Sequence, residues 1–264
     1  MRNFTEITDK NFEQAALEMY RHQYANNEVY GQFCDLIKRT PETVNVLKKI
    51  PFLPVELFKN HEIVTGVYSP EATFTSSTTT GGTPSKHHVK ELAHYEKVYV
   101  EGFQREFGAL ENWTVLALLP SYLERSGSSL VAMAEGMIKR STKKESGFYL
   151  YNHEELAQVL HNLQKQQQPT LLMGVTFGLL DFAESISAMD FPQLRVMETG
   201  GMKGRRKEMI KSDLHQILKT GFGLPVVHSE YGMTELLSQA YAHKDGRFHC
   251  PPWMKVLTRD TEDP

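Results

Sequence analysis

The feature that most constrains the fold is an alternation, from residue 113 onward, of short apolar segments with longer segments of helical periodicity. The apolar segments predicted as strands are residues 113–119, 147–151, 170–175, 194–200 and 224–229. The helices predicted between them are residues 128–140, 153–167, 177–187 and 205–219. Strands that are apolar along their whole length are typical of parallel sheets, because both faces are covered. The pattern therefore predicts an α/β fold with a largely parallel sheet and helices on both faces.

The chain is less regular on either side of this region. Residues 8–26 have apolar side chains at helical spacing, and a second helix is predicted to begin at Thr40, where Pro41 suits the first turn. Residues 50–59 are apolar but interrupted by prolines, which indicates a packed connector, and residues 92–103 show one apolar helical face. Later strands are predicted at residues 248–250 and 254–259.

Length and composition limit the classes of protein that fit. A chain of 264 residues accommodates one large α/β domain, or a domain and a half. The formal net charge of −3 gives no reason to expect nucleic acid or an anionic membrane as a partner. No apolar run reaches the ~18 residues of a membrane span. The two cysteines, Cys34 and Cys250, are too few for a disulfide framework, so we expect a reducing, cytoplasmic compartment.

Residues 74–86, FTSSTTTGGTPSK, consist mainly of Ser, Thr and Gly. Such a segment supplies backbone N–H groups and hydroxyl donors without bulk, which is what a loop around phosphates needs. Gly81 and Gly82 permit a close approach of the backbone to a ligand, and Lys86 adds a positive charge. The segment is not a Walker loop. On composition alone, a surface linker is the more frequent explanation of such a segment.

Residues 229–235, SEYGMTE, directly follow a predicted strand. Ligands of open parallel sheets bind at the carboxyl ends of the strands. An aromatic ring, a glycine, a hydroxyl and a carboxylate at that place are suited to stack a base, approach it closely, contact phosphate and hold a hard cation. The equally weighted alternative is an ordinary strand-to-helix turn with Thr234 as the N-cap.

Residues 197–207 contain the pair Gly200–Gly201 between a predicted strand and a predicted helix, a place where a flat ligand can lie against the backbone. Four basic residues follow in the predicted first helical turn: Lys203, Arg205, Arg206 and Lys207. Because basic residues there oppose the helix dipole, they indicate either a bound anion or, more often, a solvated basic face. Farther along the chain, His243, His249 and Cys250 match no standard zinc spacing, so no metal site is predicted there.

Taken in their order, these loops resemble those of the adenylate-forming enzyme superfamily, whose members join a carboxylate to AMP and then pass the acyl group on. Residues 74–86 resemble the phosphate loop of that family, T-S-G-T-T-G-x-P-K, and residues 231–235 resemble its Y-G-x-T-E motif. The pair Gly200–Gly201 falls where the family has a glycine pair beside the adenine. The spacing is most similar to the acyl-protein synthetases of the LuxE type, and the N-terminal segments also resemble phenylacetate–coenzyme A ligases.

The resemblance implies a single adenylation-type domain over residues 1–264, with a helical part at about 1–72 and an α/β part at about 73–264. It implies ATP and Mg²⁺ as cofactors, a fatty or aromatic carboxylic acid as substrate, and an acyl acceptor such as the thiol of a protein or coenzyme. The residues that it implies around the ATP phosphates are Ser76, Ser77, Thr79, Thr80, Gly81 and Thr234. Those implied beside the adenine are Gly200, Gly201, Tyr231 and Gly232, and Glu235 would hold Mg²⁺.

The sequence departs from the family pattern at three points. Thr78 stands where the family has a glycine, and Lys86 lies two residues beyond the family lysine, so that no role is assigned to it. The later family motifs, a ribose-binding Asp, the Arg after it and a C-terminal acyl-transfer residue, do not occur before Pro264. We therefore expect the C-terminal portion of an acyl-activating ligase to be missing. The alternative class is a degenerate relative that binds nucleotide or a partner without turnover.

Overall fold

The computed structural model describes residues 3–77, 82–119, 127–150, 152–201, 206–207, 209–244 and 246–258. Contacts divide the chain into two compact units. The N-terminal unit consists of Met1–Leu92 together with the returning segment Cys250–Pro264, and the sheet unit consists of Ala93–His249. The sequence analysis placed its internal boundary near residue 72, and its single-domain organisation stays a prediction.

The sheet unit contains a seven-stranded sheet in the order β4-β3-β5-β6-β7-β8-β9. Its strands are β3 (Thr114–Leu118), β4 (Gly147–Phe148), β5 (Thr170–Val175), β6 (Leu194–Thr199), β7 (His228–Tyr231), β8 (Ala240–Ala242) and β9 (Phe248–His249). The strands from β4 to β7 are parallel, whereas β8 and β9 pair antiparallel at one edge. The predicted α/β class with a largely parallel sheet is confirmed.

Helices cover both faces of this sheet. They are α4 (Leu92–Phe107), α5 (Ser129–Ser141), α6 (His153–Gln166), α7 (Thr176–Ser185) and α8 (Lys211–Phe222). Leu116, Leu172 and Val196 pack toward one side, in a single buried cluster with side chains of α6, α7 and α8. On the other side Phe103 of α4 lies edge-on to Tyr241 of β8, with ring centroids 6.3 Å apart. Buried apolar side chains therefore fix the helices on both sides, as the strand pattern predicted.

The N-terminal unit consists mainly of helices and a hairpin. Its elements are α1 (Phe12–Asn26), α2 (Glu28–Leu36), α3 (Leu57–Asn60), β1 (Ala72–Thr75) and β2 (Lys86–Val89), the two strands forming an antiparallel pair. The buried Tyr20 and Tyr30 donate their hydroxyls to the carbonyl oxygens of Arg39 and Pro51, at 2.6 and 2.7 Å. These bonds satisfy backbone acceptors in the irregular segments that follow α2.

Several local predictions are wrong. The chain at Thr40 makes a single turn, closed by Thr43 N–H on the Thr40 carbonyl at 2.9 Å, and no helix begins there. Strand β7 begins at His228 rather than at residue 224, because Pro225 has no N–H for the sheet ladder. Helix α8 begins at Lys211 rather than at residue 205. Within the described part of residues 254–259, the chain adds no strand.

Among the described residues, no helix combines the length and the apolar character needed to cross a bilayer.

Candidate functional site

Strands β6 and β7 end side by side, and this determines what lies at the edge of the sheet. Their parallel register pairs Glu198 with Ser229 and Thr199 with Glu230. The segments that leave the two strands, Gly200–Gly201 and residues 231–235, therefore start next to each other. Two of the three groups predicted from the sequence are thus brought together at the carboxyl ends of neighbouring parallel strands, where open sheets bind ligands.

The glycine pair leaves an open stretch of backbone at this edge. Gly200 has a φ of +76°, in the left-handed region that side chains with a Cβ avoid. A Cβ built on Gly201 would meet nothing within 4 Å. The backbone conformation at position 200 thus favours glycine. At position 201 the lack of a side chain leaves free space next to the backbone.

Tyr231 presents its ring at the same edge, with 39% of the residue exposed. Its hydroxyl lies 3.1 Å from the sulfur of Met233, and its ring centroid lies 6.0 Å from that of Phe248. The Nζ of Lys211 lies 5.2 Å from the centroid of Phe248. An exposed aromatic surface with a cation next to it therefore borders the glycine pair.

The structure explains by packing why position 232 is a glycine, which the sequence alone did not. A Cβ at this position would lie 2.6 Å from Oε1 of Glu230, a buried carboxyl group. The Glu230 carboxyl accepts a hydrogen bond of 2.5 Å from the Thr199 hydroxyl, which holds it in place. Gly232 thus makes room for a side chain of its own strand, and its predicted approach to a nucleotide stays a prediction.

Residues 233–235 form a turn between β7 and the antiparallel β8. The Leu236 N–H donates to the Met233 carbonyl at 3.1 Å, and no helix follows. The alternative of a strand-to-helix turn capped by Thr234 is therefore wrong. The carboxylate of Glu235 is partly exposed and forms no ion pair with any described residue.

A buried carboxylate on β6, that of Glu198, connects the strand ends to helix α8 through hydrogen bonds and ion pairs. Glu198 is 1% exposed, and its Oε1 lies 2.7 Å from Lys211 Nζ and 3.4 Å from His215 Nε2. Ser229 donates its hydroxyl to the same oxygen at 2.5 Å. Burial alone would raise the pKa of Glu198, but the hydrogen bonds from His215, Lys211 and Ser229 outweigh it and hold the pKa below its ordinary value.

Glu230, on the neighbouring strand, has the opposite electrostatic environment. Burial raises its pKa from 4.5 to about 7, and the nearby charge of Glu198 acts in the same direction. Only the Thr199 hydroxyl and the more distant Lys211 favour its ionised form. The sequence analysis did not select either glutamate, nor Lys211 or His215. A sequence signal for the two glutamates exists, because each stands near the end of a strand that is otherwise apolar or buried.

The described residues of the hydroxyl-rich segment lie in the N-terminal unit, in and next to the antiparallel strands β1 and β2. Ser76 N–H donates to the Ser85 carbonyl at 3.1 Å, and Ser85 N–H donates to Ser76 Oγ at 2.9 Å. The Ser76 oxygen thus helps to close the hairpin, Ser77 beyond it is exposed, and Lys86 is the exposed first residue of β2. The predicted phosphate ligands Thr79, Thr80 and Gly81, and the departure at Thr78, lie outside the described residues.

Of the basic segment after the glycine pair, the described residues Arg206 and Lys207 are not in the first turn of a helix. Arg206 precedes α8 and forms ion pairs with Asp181 and Glu184 of α7. These contacts raise the pKa of its guanidinium, with the Glu184 hydrogen bonds making the largest contribution. Arg206 is therefore engaged within the protein rather than held for an anion. Lys207 is exposed, and Lys203 and Arg205 lie outside the described residues.

Comparison with known proteins finds a family similarity in the N-terminal part of the chain. Residues 4–99 match the family model described as "Acyl-protein synthetase, LuxE". The chain is similar to LuxE acyl-protein synthetases. The matched segment contains the whole hydroxyl-rich hairpin but ends before the sheet strands. The resemblance predicted from the loop motifs is confirmed for this family.

The solved structures to which the chain is similar include the O-succinylbenzoate coenzyme A synthetase (MenE) from Bacillus subtilis in complex with ATP and magnesium ion. The identity is 18%, the TM-score is 0.41, and the match covers 69% of this chain. The match spans about a third of the length of that synthetase, at 35%. No curated protein matches the sequence.

Proposed function

We propose that the chain takes part in the ATP-dependent activation of a carboxylic acid as an acyl-adenylate, as LuxE-type acyl-protein synthetases do. The observation that carries the proposal is the juxtaposition of the open Gly200–Gly201 backbone and the exposed Tyr231 ring at neighbouring strand ends. The match of residues 4–99 to the LuxE family supports it independently. The substrate is proposed to be a fatty or aromatic acid, and the acceptor the thiol of a protein or coenzyme.

An adenine ring is flat, apolar on its faces and polar at its edge. The backbone at Gly201 offers space for such a ring, and the Tyr231 ring offers an aromatic face with which it can stack. The phosphates of the nucleotide would extend toward Thr234 and Glu235, which follow Tyr231 in the turn. The hydroxyls and N–H groups of Ser76, Ser77, Thr79, Thr80 and Gly81 are proposed to contact the remaining phosphates.

The reaction brings two anions together. A carboxylate oxygen of the substrate attacks the α-phosphorus, a new O–P bond forms, and the bond to the pyrophosphate breaks, so that pyrophosphate leaves with its electron pair. Such a step needs charge neutralisation and in-line positioning more than an acid–base pair. Magnesium, when bound, supplies charge to the departing phosphates. Glu235, which has no ion-pair partner among the described residues, is the proposed carboxylate ligand of the ion.

A reducing, cytoplasmic compartment is proposed from the two thiols. Both cysteines are free, Cys34 buried and Cys250 partly so. Burial raises the pKa of both, which disfavours the thiolate form that a nucleophile needs. These observations support the proposal that the acyl-accepting thiol belongs to another molecule.

The proposal is tested by substituting Glu235 with Gln. We expect E235Q to lose Mg²⁺-dependent ATP binding by at least 10-fold in calorimetric titration, with a melting temperature within a few degrees of the parent. Carboxylate-dependent exchange of pyrophosphate into ATP, measured against fatty and aromatic acids, should fall in parallel. The matched control is E62Q, the same chemical change at an exposed position between α3 and β1, which should retain both properties.

Two results would contradict parts of the proposal. Normal binding of Mg-ATP by E235Q would show that the carboxylate is not the metal ligand. If the parent binds Mg-ATP through Glu235 but exchanges no pyrophosphate with any acid tested, the chain is a nucleotide-binding relative without adenylation activity, and the alternative class replaces the enzyme.

A further inference from the structure

Three side chains with metal-ligating atoms meet where the last turn of α4 packs on the edge of the sheet. Glu106 lies in the last turn of α4, His243 directly follows β8, and His249 lies in β9. Glu106 Oε2 is 2.5 Å from His243 Nε2 and 3.9 Å from His249 Nδ1. One ligand atom from each residue lies within 4.8 Å of the other two. We call this group the Glu106 cluster.

The two faces of the sheet separate the Glu106 cluster from the aromatic surface beside the glycine pair. His249 is paired with Tyr241, whose ring lies edge-on to that of Phe103 in α4, so the cluster lies on the face that α4 covers. Phe248, the preceding residue of β9, points to the other face, because successive side chains of a strand alternate. Its ring lies 6.0 Å from that of Tyr231.

A second, independent feature lies beside the cluster. His228, the first residue of β7, is 6% exposed, and its ring centroid is 5.5 Å from that of His243. Its Nδ1 has no hydrogen-bond partner among the described residues. His228, His243 and Glu106 also line the same cleft, of about 700 Å³. An unpaired buried nitrogen is rare in folded proteins and indicates a group that an additional ligand, ion or water satisfies.

We propose that the Glu106 cluster is a binding site for a divalent transition metal of the zinc type. Two imidazole nitrogens and one carboxylate oxygen are a donor set that Zn²⁺ takes in proteins, at roughly 2.0–2.2 Å from the metal. A tetrahedral site requires ligand atoms about 3.3 Å apart, and the distances of 2.5 and 3.9 Å lie on either side of this value. The side chain of His249 is 60% exposed, so it is free to move inward.

The site has a structural consequence and leaves one position open. A metal held by these ligands would connect the last turn of α4 to the β8–β9 hairpin, which is the edge of the sheet and whose outer strand has only two residues. Three protein ligands leave a fourth tetrahedral position, which is available to water or to a small anion entering the cleft. The metal would therefore stabilise a marginal sheet edge.

The sequence did not reveal this site. It drew attention to His243, His249 and Cys250, whose spacing matches no zinc pattern. In the structure the third member of the group is Glu106, which precedes His243 by 137 residues. Only the packing of α4 against the edge strands brings this carboxylate to the two histidines.

The experiment measures metal binding by the whole protein after dialysis against a chelator. We expect one equivalent of Zn²⁺ in calorimetric titration, with Mg²⁺ giving no signal at this site, and visible d–d bands when Co²⁺ replaces Zn²⁺. H249A should weaken Zn²⁺ binding by at least 10-fold and abolish the rise in melting temperature that Zn²⁺ causes in the parent. The control is H161A, which removes an exposed histidine of α6 and should bind as the parent does.

His249 is the informative position, because its exposed side chain can be removed without disturbing the buried packing. Equal Zn²⁺ affinity of H249A and the parent would overturn the proposal, as would the absence of stoichiometric Zn²⁺ binding by the parent. E106Q is a second variant, since it keeps the shape of Glu106 while removing the charge. It should also bind Zn²⁺ more weakly, and unchanged binding by E106Q would contradict the assignment of the carboxylate.

Discussion

At the scale of single residues, Glu198 and Glu230 show how neighbouring strands give two carboxyl groups different charges. Glu198 accepts hydrogen bonds or ion pairs from Lys211, Ser229 and His215 and remains ionised although it is buried. Glu230 has one hydroxyl donor, and burial raises its pKa to about 7. The protein therefore keeps one carboxylate, and one acid that is about half protonated at pH 7, within two residues of the candidate nucleotide site.

A stability measurement on E230Q tests the state of Glu230. The pKa of Glu230 is about 7 in the folded protein, against an ordinary value of 4.5. Between these values the folded state binds more protons than the unfolded state, so the stability of the parent falls as pH rises from about 4.5 to 7. Gln resembles the protonated acid, and the stability of E230Q lacks this pH dependence. We expect E230Q to be more stable than the parent by less than about 1 kcal/mol at pH 5 and by about 3 kcal/mol at pH 8.

Urea denaturation at both pH values measures this difference. E62Q, which removes an exposed carboxyl group, corrects for the loss of one negative charge. If the difference between E230Q and the parent is the same at pH 5 and pH 8, Glu230 is ionised in the folded protein over the whole range, and the account of its burial is wrong.

At the scale of elements, one glycine determines how closely α4 and α5 pack. A Cβ on Gly136 of α5 would lie 1.9 Å from the hydroxyl oxygen of Tyr99 on α4, and 3.1 Å from its ring carbon. Tyr99 is 3% exposed, and burial raises the pKa of its hydroxyl. The Tyr99 phenol thus occupies the space beside Gly136, where any other residue would place a Cβ. Glycine in a helix costs up to about 1 kcal/mol of stability relative to Ala, and the close packing of Tyr99 offsets this cost.

We expect G136A to destabilise the protein by about 1–3 kcal/mol, because the added methyl overpacks the contact and outweighs the better helix propensity of Ala. Removing the hydroxyl should relieve the clash, so that Y99F combined with G136A is more stable than G136A alone. Urea denaturation of the two single variants and the double variant gives the coupling energy. Additive effects would mean that Tyr99 does not limit the approach of α5.

At the scale of the whole molecule, segments that are distant in the sequence pack together in the N-terminal unit. Trp253 lies edge-on to Phe4, with ring centroids 4.8 Å apart. Lys255 lies 4.7 Å from the ring centroid of Phe12 and 3.4 Å from a carboxylate oxygen of Asp9. These contacts can form only after the intervening sheet unit has been synthesised.

We expect W253A to weaken the N-terminal unit by about 2 kcal/mol, because it removes a partly buried aromatic ring. Hydrogen exchange should become faster in α1, and much less so in β5 of the sheet unit. V256A, which shortens a side chain that is 70% exposed in the same segment, is the control and should change stability by less than about 0.5 kcal/mol. Unchanged exchange in α1 of W253A would show that the returning segment does not stabilise this unit.

The sequence alone predicted the features that depend on neighbouring residues. Continuous apolar segments identified β3, β5 and β6, since a strand buried on both faces must be apolar throughout. Helical periodicity placed α5, α6 and α7 within two residues at each end. The loop motifs pointed to the LuxE family and to Gly200 and Tyr231, because glycines and aromatic residues at strand ends stand out from the apolar pattern around them.

Only the tertiary structure decided which of these residues meet. The parallel register of β6 and β7 places Gly200 beside Tyr231, and the same register joins Glu198 to Ser229. The packing of α4 against the sheet edge brings Glu106 to His243. Local patterns record whether a residue is buried, but not its partner, because hydrogen bonds and ion pairs between distant residues depend on strand order and register, which the whole chain sets together.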